Sequence, residues 1–186
     1  MTVSTELDDR FRAAAASAGL LDVGFDVIES PIGQLLVAAT DRGLCRIWFR
    51  PNLDEQLDHL ARAFGPRVLR SRASVDDAHR QLDEYFEGRR EGFDLTFDLG
   101  TAAPFARSVL TELAAVPYGQ TTTYGTLAAK VGSPRAARAV GTVMNRNPLP
   151  IVLPCHRVVG SNGSLTGYAG GLELKEQLLR LEGALL

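Results

Sequence analysis

The run Pro154-Cys155-His156-Arg157 sets a thiol, an imidazole and a guanidinium side by side, behind the apolar stretch Ile151–Leu153. Cysteine is the strong nucleophile of the group. A free thiol has a pKa of about 8.5 and is mostly protonated at neutral pH, so it needs a base or a positive field to react. His156 is the nearest base in sequence. In extended chain, neighbouring side chains point to opposite faces, so His156 reaches Cys155 only if the chain turns or a water bridges them. Such an imidazole also needs a carboxylate to orient its ring. The second half of the chain offers Glu112, Glu173, Glu176 and Glu182. Glu182 falls near the end of a helical stretch, on the side of Leu178 and Leu179, where a carboxylate is unusual. Cysteine is also among the most buried residue types, so residue types alone leave a reactive and an inert Cys155 both open. Arg157 reads equally as a phosphate contact or as half of an ion pair.

The elements that must position these groups lie between residues 104 and 186. "PFARSVLTELAAV" has Phe105, Val109, Leu110 and Leu113 at helical spacing, which predicts an amphipathic helix. "TTYGTLAAKVG" predicts a short helix with Thr123 as its N-cap and Gly132 as its stop. "SPRAARAVGTVMNRN" follows at once, with Ser133 placed to cap and Pro134 suited to the first helical position. Two short helices joined by a tight turn form a helix-turn-helix candidate, equally readable as a plain helical hairpin. The second helix presents Arg135, Arg138 and Arg146 beside the small apolar face of Ala137, Val140, Gly141 and Met144. "IVL" then reads as a buried strand that Pro154 ends just before Cys155, with "LELKEQLLRLEG" as the last helix.

Charge divides unevenly along the 186 residues. Residues 1–100 carry 12 Arg against 18 Asp and Glu, whereas residues 101–186 carry 8 Lys and Arg against 4 Glu. An acidic half joined to a basic half suggests that only the second meets a polyanion. Two cysteines, Cys45 and Cys155, are too few for a disulfide framework and fit a reducing compartment. His59, His79 and His156 are scattered and no CxxC pair occurs, so no metal site is expected. The N-terminus lacks the pattern of a signal peptide and no apolar run is long enough to span a membrane. The expectation is a cytoplasmic protein with no membrane association.

In the first half, residues 6–18 read as a short helix with Leu7 and Phe11 apolar. Strands are expected at 25–29, 34–39 and 44–49, forming a small antiparallel meander that places Cys45 in the third strand. Helices are expected over "NLDEQLDHLARAFG" and over "SVDDAHRQLDEYFEGR", the latter capped by Ser74 and stopped at Gly88, with His59 and His79 on their solvated faces. "FDLTFDL" (93–99) reads as one more strand. "LGTAAP" is the candidate linker, giving an extension at 1–24, an N-terminal domain at 25–101 and a second domain at 102–186.

From "VPYGQTTTYG" through "AARAVGTVMNRNPLPIVLPCHRVVG" to "GYAGGLELKEQLLRLEG", the chain resembles the methylated-DNA–protein-cysteine methyltransferases, the O6-alkylguanine-DNA alkyltransferases. The resemblance runs from about Phe105 to Glu182 and is loose in the first half. It implies an α+β protein: a small ribonuclease H-like α/β domain with an antiparallel sheet, then a mostly helical domain with a winged helix-turn-helix. It implies that Cys155 accepts the alkyl group once and irreversibly, that His156 deprotonates it through a water, and that Glu182 orients His156. Asn147 would hold the turn that shapes the site. Tyr124 would rotate the nucleotide and hydrogen-bond the flipped guanine, and Arg138 would fill the vacated stack. Thr123, Arg135, Ala137 and Ala139 would meet DNA in the minor groove. Val158, Tyr168, Ala169, Gly170 and Met144 would line the guanine pocket. The implied partner is double-stranded DNA carrying O6-alkylguanine, O4-alkylthymine being a further option, with no cofactor. The protein would act as a monomer, with cooperative binding of several copies on DNA left open.

Ala169 stands where the family often has Ser, and Ala106 and Leu110 replace a common Gln and Trp. Three rival readings are weaker. A non-catalytic protein that recognises alkylated DNA would lack the acceptor, which is present here. A transcription regulator would carry base-reading polar side chains on its second helix. A cysteine hydrolase would turn over.

Overall fold

The computed structural model describes residues 10, 14–15, 18–100 and 102–185, so the expected helix over 6–18 lies largely outside the described residues. The chain divides into two compact units. One comprises the residues up to Asp83 with Asp94–Gly100; the other takes in Glu84–Phe93 and everything after residue 100.

In the first unit, β1 (Val23–Ile28), β2 (Leu35–Thr40) and β3 (Gly43–Phe49) form the expected meander, with β1–β2 and β2–β3 antiparallel. The sheet is mixed rather than purely antiparallel. A three-residue strand, β4 (Val68–Arg70), joins β1 in parallel and gives the order β3-β2-β1-β4. The two-residue turn Asp41-Arg42 leads into Gly43, whose φ is 129°. A side chain there would also collide with the carbonyl of Thr96, so only glycine suits the position.

The core of this unit comprises Val23, Phe25, Leu36, Ala38, Cys45 and Leu60, with Trp48, Leu57 and Phe64 packed on it. Helix α1 (Leu53–Phe64) contributes Leu57, Leu60 and Phe64 from its apolar stripe, as the 3.6-residue period requires. Ser74 does not cap the next helix. It sits in a 3-10 turn (Arg72–Ser74) that closes on Gly24, its hydroxyl donates to Ser71, and α2 begins at Asp76 and runs to Phe86. The expected strand at 93–99 is reduced to one bridge, Leu44 to Phe97. His59 is exposed, edge-on to Trp48, while half-buried His79 lies 3.4 Å from Asp83.

In the second unit, α3 (Pro104–Ala114) buries Val109, Leu110 and Leu113. Helix α4 (Tyr124–Lys130) starts where Thr123 Oγ1 accepts the backbone N–H of Thr126 at 3.1 Å. That bond satisfies one of the N–H groups a helix start leaves open. Gly132, at φ 71°, ends the segment. Full burial of Leu127 in α4 stabilises the unit by roughly 2 kcal/mol.

Ser133 and Pro134 do not open the next helix. Residues 133–136 form a turn closed by the Ala136 N–H donating to the Ser133 carbonyl at 2.8 Å, and α5 runs Ala137–Asn145. "IVL" is not a strand either: residues 150–153 make a buried turn in which Ile151 holds φ at +75°, a strained value for a β-branched residue. A 3-10 turn, Cys155–Arg157, leads into β6 (Val158–Val159), which pairs in parallel with β5 (Thr122–Thr123). Helix α6 (Leu172–Leu181) closes the unit. No described helix is long and apolar enough to cross a membrane.

Candidate active site

The buried turn and the 3-10 turn place Cys155 and His156 in the interior, 4% and 0% exposed. Asn147 fixes the approach to the thiol. Its Oδ1 accepts the Leu149 N–H at 3.1 Å, which orients the amide, and its Nδ2 donates both to the Leu153 carbonyl at 2.7 Å and to Cys155 Sγ at 3.0 Å. Burial pushes the Cys155 thiol up to about 11, against the lowering influence of the Asn147 amide and the charge of Lys175. The resting sulfur is therefore a thiol, and a base is needed to make it a nucleophile.

His156 Nε2 lies 2.8 Å from Glu182 Oε1. Glu182 is ionised: burial alone would raise its carboxyl, but hydrogen bonds from His156, Arg157 and Tyr85 hold it down at about 2. A carboxylate only accepts, so Nε2 carries the ring proton. Burial lowers the His156 pKa, with Glu182 acting in the opposite sense, which favours the neutral ring. Its Nδ1 then presents a lone pair, and this atom, buried, makes no hydrogen bond to any described residue. The chain has placed an anchored, neutral base one residue from a protonated thiol.

Arg157 is an ion-pair partner rather than a surface contact. Its Nε and Nη2 each donate to Glu182 at 2.8 Å, Nη1 donates to the Val116 carbonyl, and its guanidinium lies 5.8 Å from the Tyr118 ring centre. The Gly119 N–H reaches Glu182 Oε2 at 3.4 Å.

The helix-turn-helix brings a second group together. Tyr124, Ala137 and Arg138 line a groove of about 550 Å³ with Gly141, Asn145, Gly160, Thr166 and Gly167. The Thr166 hydroxyl donates to the Tyr124 hydroxyl at 3.2 Å. Arg138 and Ala139 are exposed, and Thr123, the helix cap, is half-buried. Arg135 lies apart, in the turn before α5, where it lines a separate cavity with Ser133, Pro134 and Ala136. Cys155 and the remaining pocket candidates are not among the groove's lining residues. Met144 and Val158 are buried, Tyr168 packs edge-on to the His156 ring at 6.5 Å, and Ala169 and Gly170 form the turn before α6.

A family model for the DNA-binding domain of 6-O-methylguanine DNA methyltransferase matches residues 104–184, and one for the ribonuclease-like domain of the same proteins matches residues 24–99. The chain belongs to this methyltransferase family. It is 43% identical over 161 residues to a methylated-DNA–protein-cysteine methyltransferase of Methanosarcina barkeri, covering 85% of this chain and 96% of the relative. The Salmonella typhimurium protein of the same name is 42% identical over 163 residues, covering 86% and 95%. The crystal structure of Mycobacterium tuberculosis OGT in complex with DNA superposes with a TM-score of 0.76 at 35% identity, covering 87% of this chain and 93% of that one.

Within this methyltransferase, three contributors escaped the sequence reading. Tyr85 donates to Glu182 at 2.6 Å from 97 residues away, a separation that gives no local signal. Gly119 contributes a backbone group, which any residue type could supply. Lys175 did leave a trace: it shares the buried stripe of α6 with Leu174, Leu178 and Leu179, seven residues before Glu182. Its Nζ donates to the carbonyls of Val158 and Thr166, and burial lowers its pKa to about 8.

Proposed function

We propose that this protein repairs DNA by moving an alkyl group from O6 of guanine, flipped out of a duplex, onto Sγ of Cys155. It does so once per molecule, acting as a monomer in the cytoplasm. The observation that carries the reading is the anchored His156: Glu182 fixes Nε2–H, and Nδ1 is left with a buried, unused lone pair on the residue that follows the buried thiol in the chain.

The step balances without a cofactor. A water relays the Cys155 proton to His156 Nδ1. The thiolate forms a bond to the saturated carbon, the carbon–O6 bond breaks, and guanine leaves as the neutral base by taking a proton from solvent, while His156 gives its proton back to solvent. Tyr124 hydrogen-bonds the flipped base and helps it depart. The product thioether has no good leaving group, so the protein is not regenerated. His156 serves as general base in the sense of an activated nucleophile. Small residues such as Ala137 and Ala139 let α5 enter a narrow groove without reading sequence, which suits a lesion that can occur anywhere.

Intact and peptide mass spectrometry after mixing with a duplex carrying one O6-methylguanine tests this. One methyl mass on the Cys155 peptide, stopping at one per molecule, is expected. Bound duplex with no mass gain would instead identify a non-catalytic protein that recognises alkylated DNA.

Arg138 is exposed and lines the groove together with Tyr124, where it can fill the space a flipped base vacates. Unstacking a base costs a few kcal/mol. Arg138→Ala is therefore expected to slow transfer from duplex DNA by on the order of 10²-fold while leaving the reaction with free O6-benzylguanine nearly unchanged. Single-turnover rates on the two substrates check this; equal slowing of both would remove the stack-filling role.

A further inference from the structure

Tyr85 is fully buried in the last turn of α2. Its ring packs against Phe86, Phe93 and Tyr118 at centroid distances of 5.4, 5.4 and 6.1 Å. The hydroxyl lies 2.6 Å from Glu182 Oε1, and the direction of the bond is fixed because the carboxylate can only accept. The phenol also stays protonated, since burial and then the charge of Glu182 raise its pKa far above the ordinary value.

Oε1 is thereby crowded. It takes Tyr85 Oη at 2.6 Å, His156 Nε2 at 2.8 Å and Arg157 Nη2 at 2.8 Å, while Oε2 takes Arg157 Nε at 2.8 Å and the more distant Gly119 N–H. Three donors share one oxygen, and Tyr85 is the shortest of them. Each hydrogen bond drawn to that oxygen weakens it as an acceptor for the others.

We propose that Tyr85 is a positioning residue for alkyl transfer: by competing for Glu182 Oε1 it holds the carboxylate in place and keeps the His156–Glu182 bond weak enough for the resting imidazole to stay neutral. This rests on the reading of His156 as the base. The other groups that face this pair are Arg157 and Cys155 from the 3-10 turn, Lys175 from α6, Tyr168 from the loop before it and Tyr118 from the segment after α3. Tyr85 alone among them combines a neutral donor with a position on the oxygen that His156 uses. It comes from residues 84–93, a segment remote in sequence from the acceptor that nonetheless belongs to the same compact unit.

The test is Tyr85→Phe, which keeps the ring and removes the hydroxyl. In histidine labelled with nitrogen-15, the His156 Nε2 proton resonance is expected to move downfield as its bond to Glu182 shortens. The acid limb of the single-turnover rate on an O6-methylguanine duplex is expected to shift upward by on the order of one pH unit, a tenfold gain in proton affinity. The sign follows from the base being useless once protonated: a higher His156 pKa means that activity is lost at a higher pH. Tyr85→Phe with an unchanged Nε2 proton and a superimposable pH–rate profile, measured where His156→Ala is strongly slowed, would overturn the role of Tyr85 alone. A His156→Ala protein as fast as wild type would overturn the relay, and this inference with it.

Discussion

Cys155→Ala is expected to take up no methyl group from an O6-methylguanine duplex, while still binding it. No other thiol is placed to accept the methyl group. Cys45 is the other cysteine, fully buried in β3 with a thiol that burial pushes up to about 12, and its chain neighbours are Leu44 and Arg46, with no imidazole in the place His156 takes beside Cys155. The substitution leaves the scaffold nearly intact. Asn147 loses its bond to sulfur but keeps the Leu153 carbonyl and the Leu149 N–H, so the stability cost is about 1 kcal/mol. The loss is then chemical and not structural. Cys155→Ser keeps a similar shape and should be equally silent, because a hydroxyl is a far weaker nucleophile than a thiolate at neutral pH. Intact mass after prolonged incubation, paired with fluorescence anisotropy on the same duplex, separates transfer from binding. A methyl mass appearing elsewhere on Cys155→Ala would sink the assignment of the acceptor.

Glu182→Gln is expected to damage both stability and rate. Glu182 is 4% exposed and answers the charge of Arg157, itself 5% exposed. An amide in its place leaves a buried guanidinium uncompensated and sets an NH2 group among donors. Breaking a buried pair from one side costs about 3–5 kcal/mol, a large part of what holds an ordinary domain together.

The pH dependence follows from the depressed carboxyl, about 2 when folded against an ordinary value of 4.5. Its contribution is complete above pH 4.5 and is lost as pH falls through about 2. The gap between wild type and variant in urea unfolding should therefore be widest near neutrality and close over that acid interval. With its anchor gone, His156 no longer holds its proton on Nε2, and single-turnover transfer should fall by about 10²–10⁴-fold, the usual worth of a general base. Coincident pH–rate profiles would dismiss the Glu182 role.

Periodicity made much of the architecture legible. The spacing of Leu57, Leu60 and Phe64 announced α1, and Thr123 beside a helical stretch announced the start of α4. Elsewhere, short-range signals point to the wrong partner. Ser133-Pro134 has the composition of a helix start, yet the chain spends it on a turn. "IVL" has the composition of a buried strand, and a short apolar run carries no period to tell strand from turn. Residues 93–99 alternate, but alternation does not guarantee a neighbour to pair with, and only Phe97 finds one. β4 is too short to show a period at all.

At the site, Cys155 and His156 could be suspected because a thiol and an imidazole stand side by side, and Glu182 because a carboxylate on the side of Leu178 and Leu179 is unusual, while their roles rested on the family resemblance. Tyr85 could not, because an aromatic residue on a helix is ordinary until its hydroxyl is seen to meet a carboxylate 97 positions away.

The sealing of Cys155 has a further consequence. A protein that reacts once is a stock rather than a catalyst, and a stock can spoil. Thiolates are what peroxides and stray electrophiles consume. At 4% exposure, and with its proton held until about pH 11, the sulfur is both hidden from such agents and chemically quiet toward them. On the proposed relay, the burial that would make Cys155 depend on His156 for its reactivity would also give each idle molecule a long shelf life, so that its single reaction is kept for DNA.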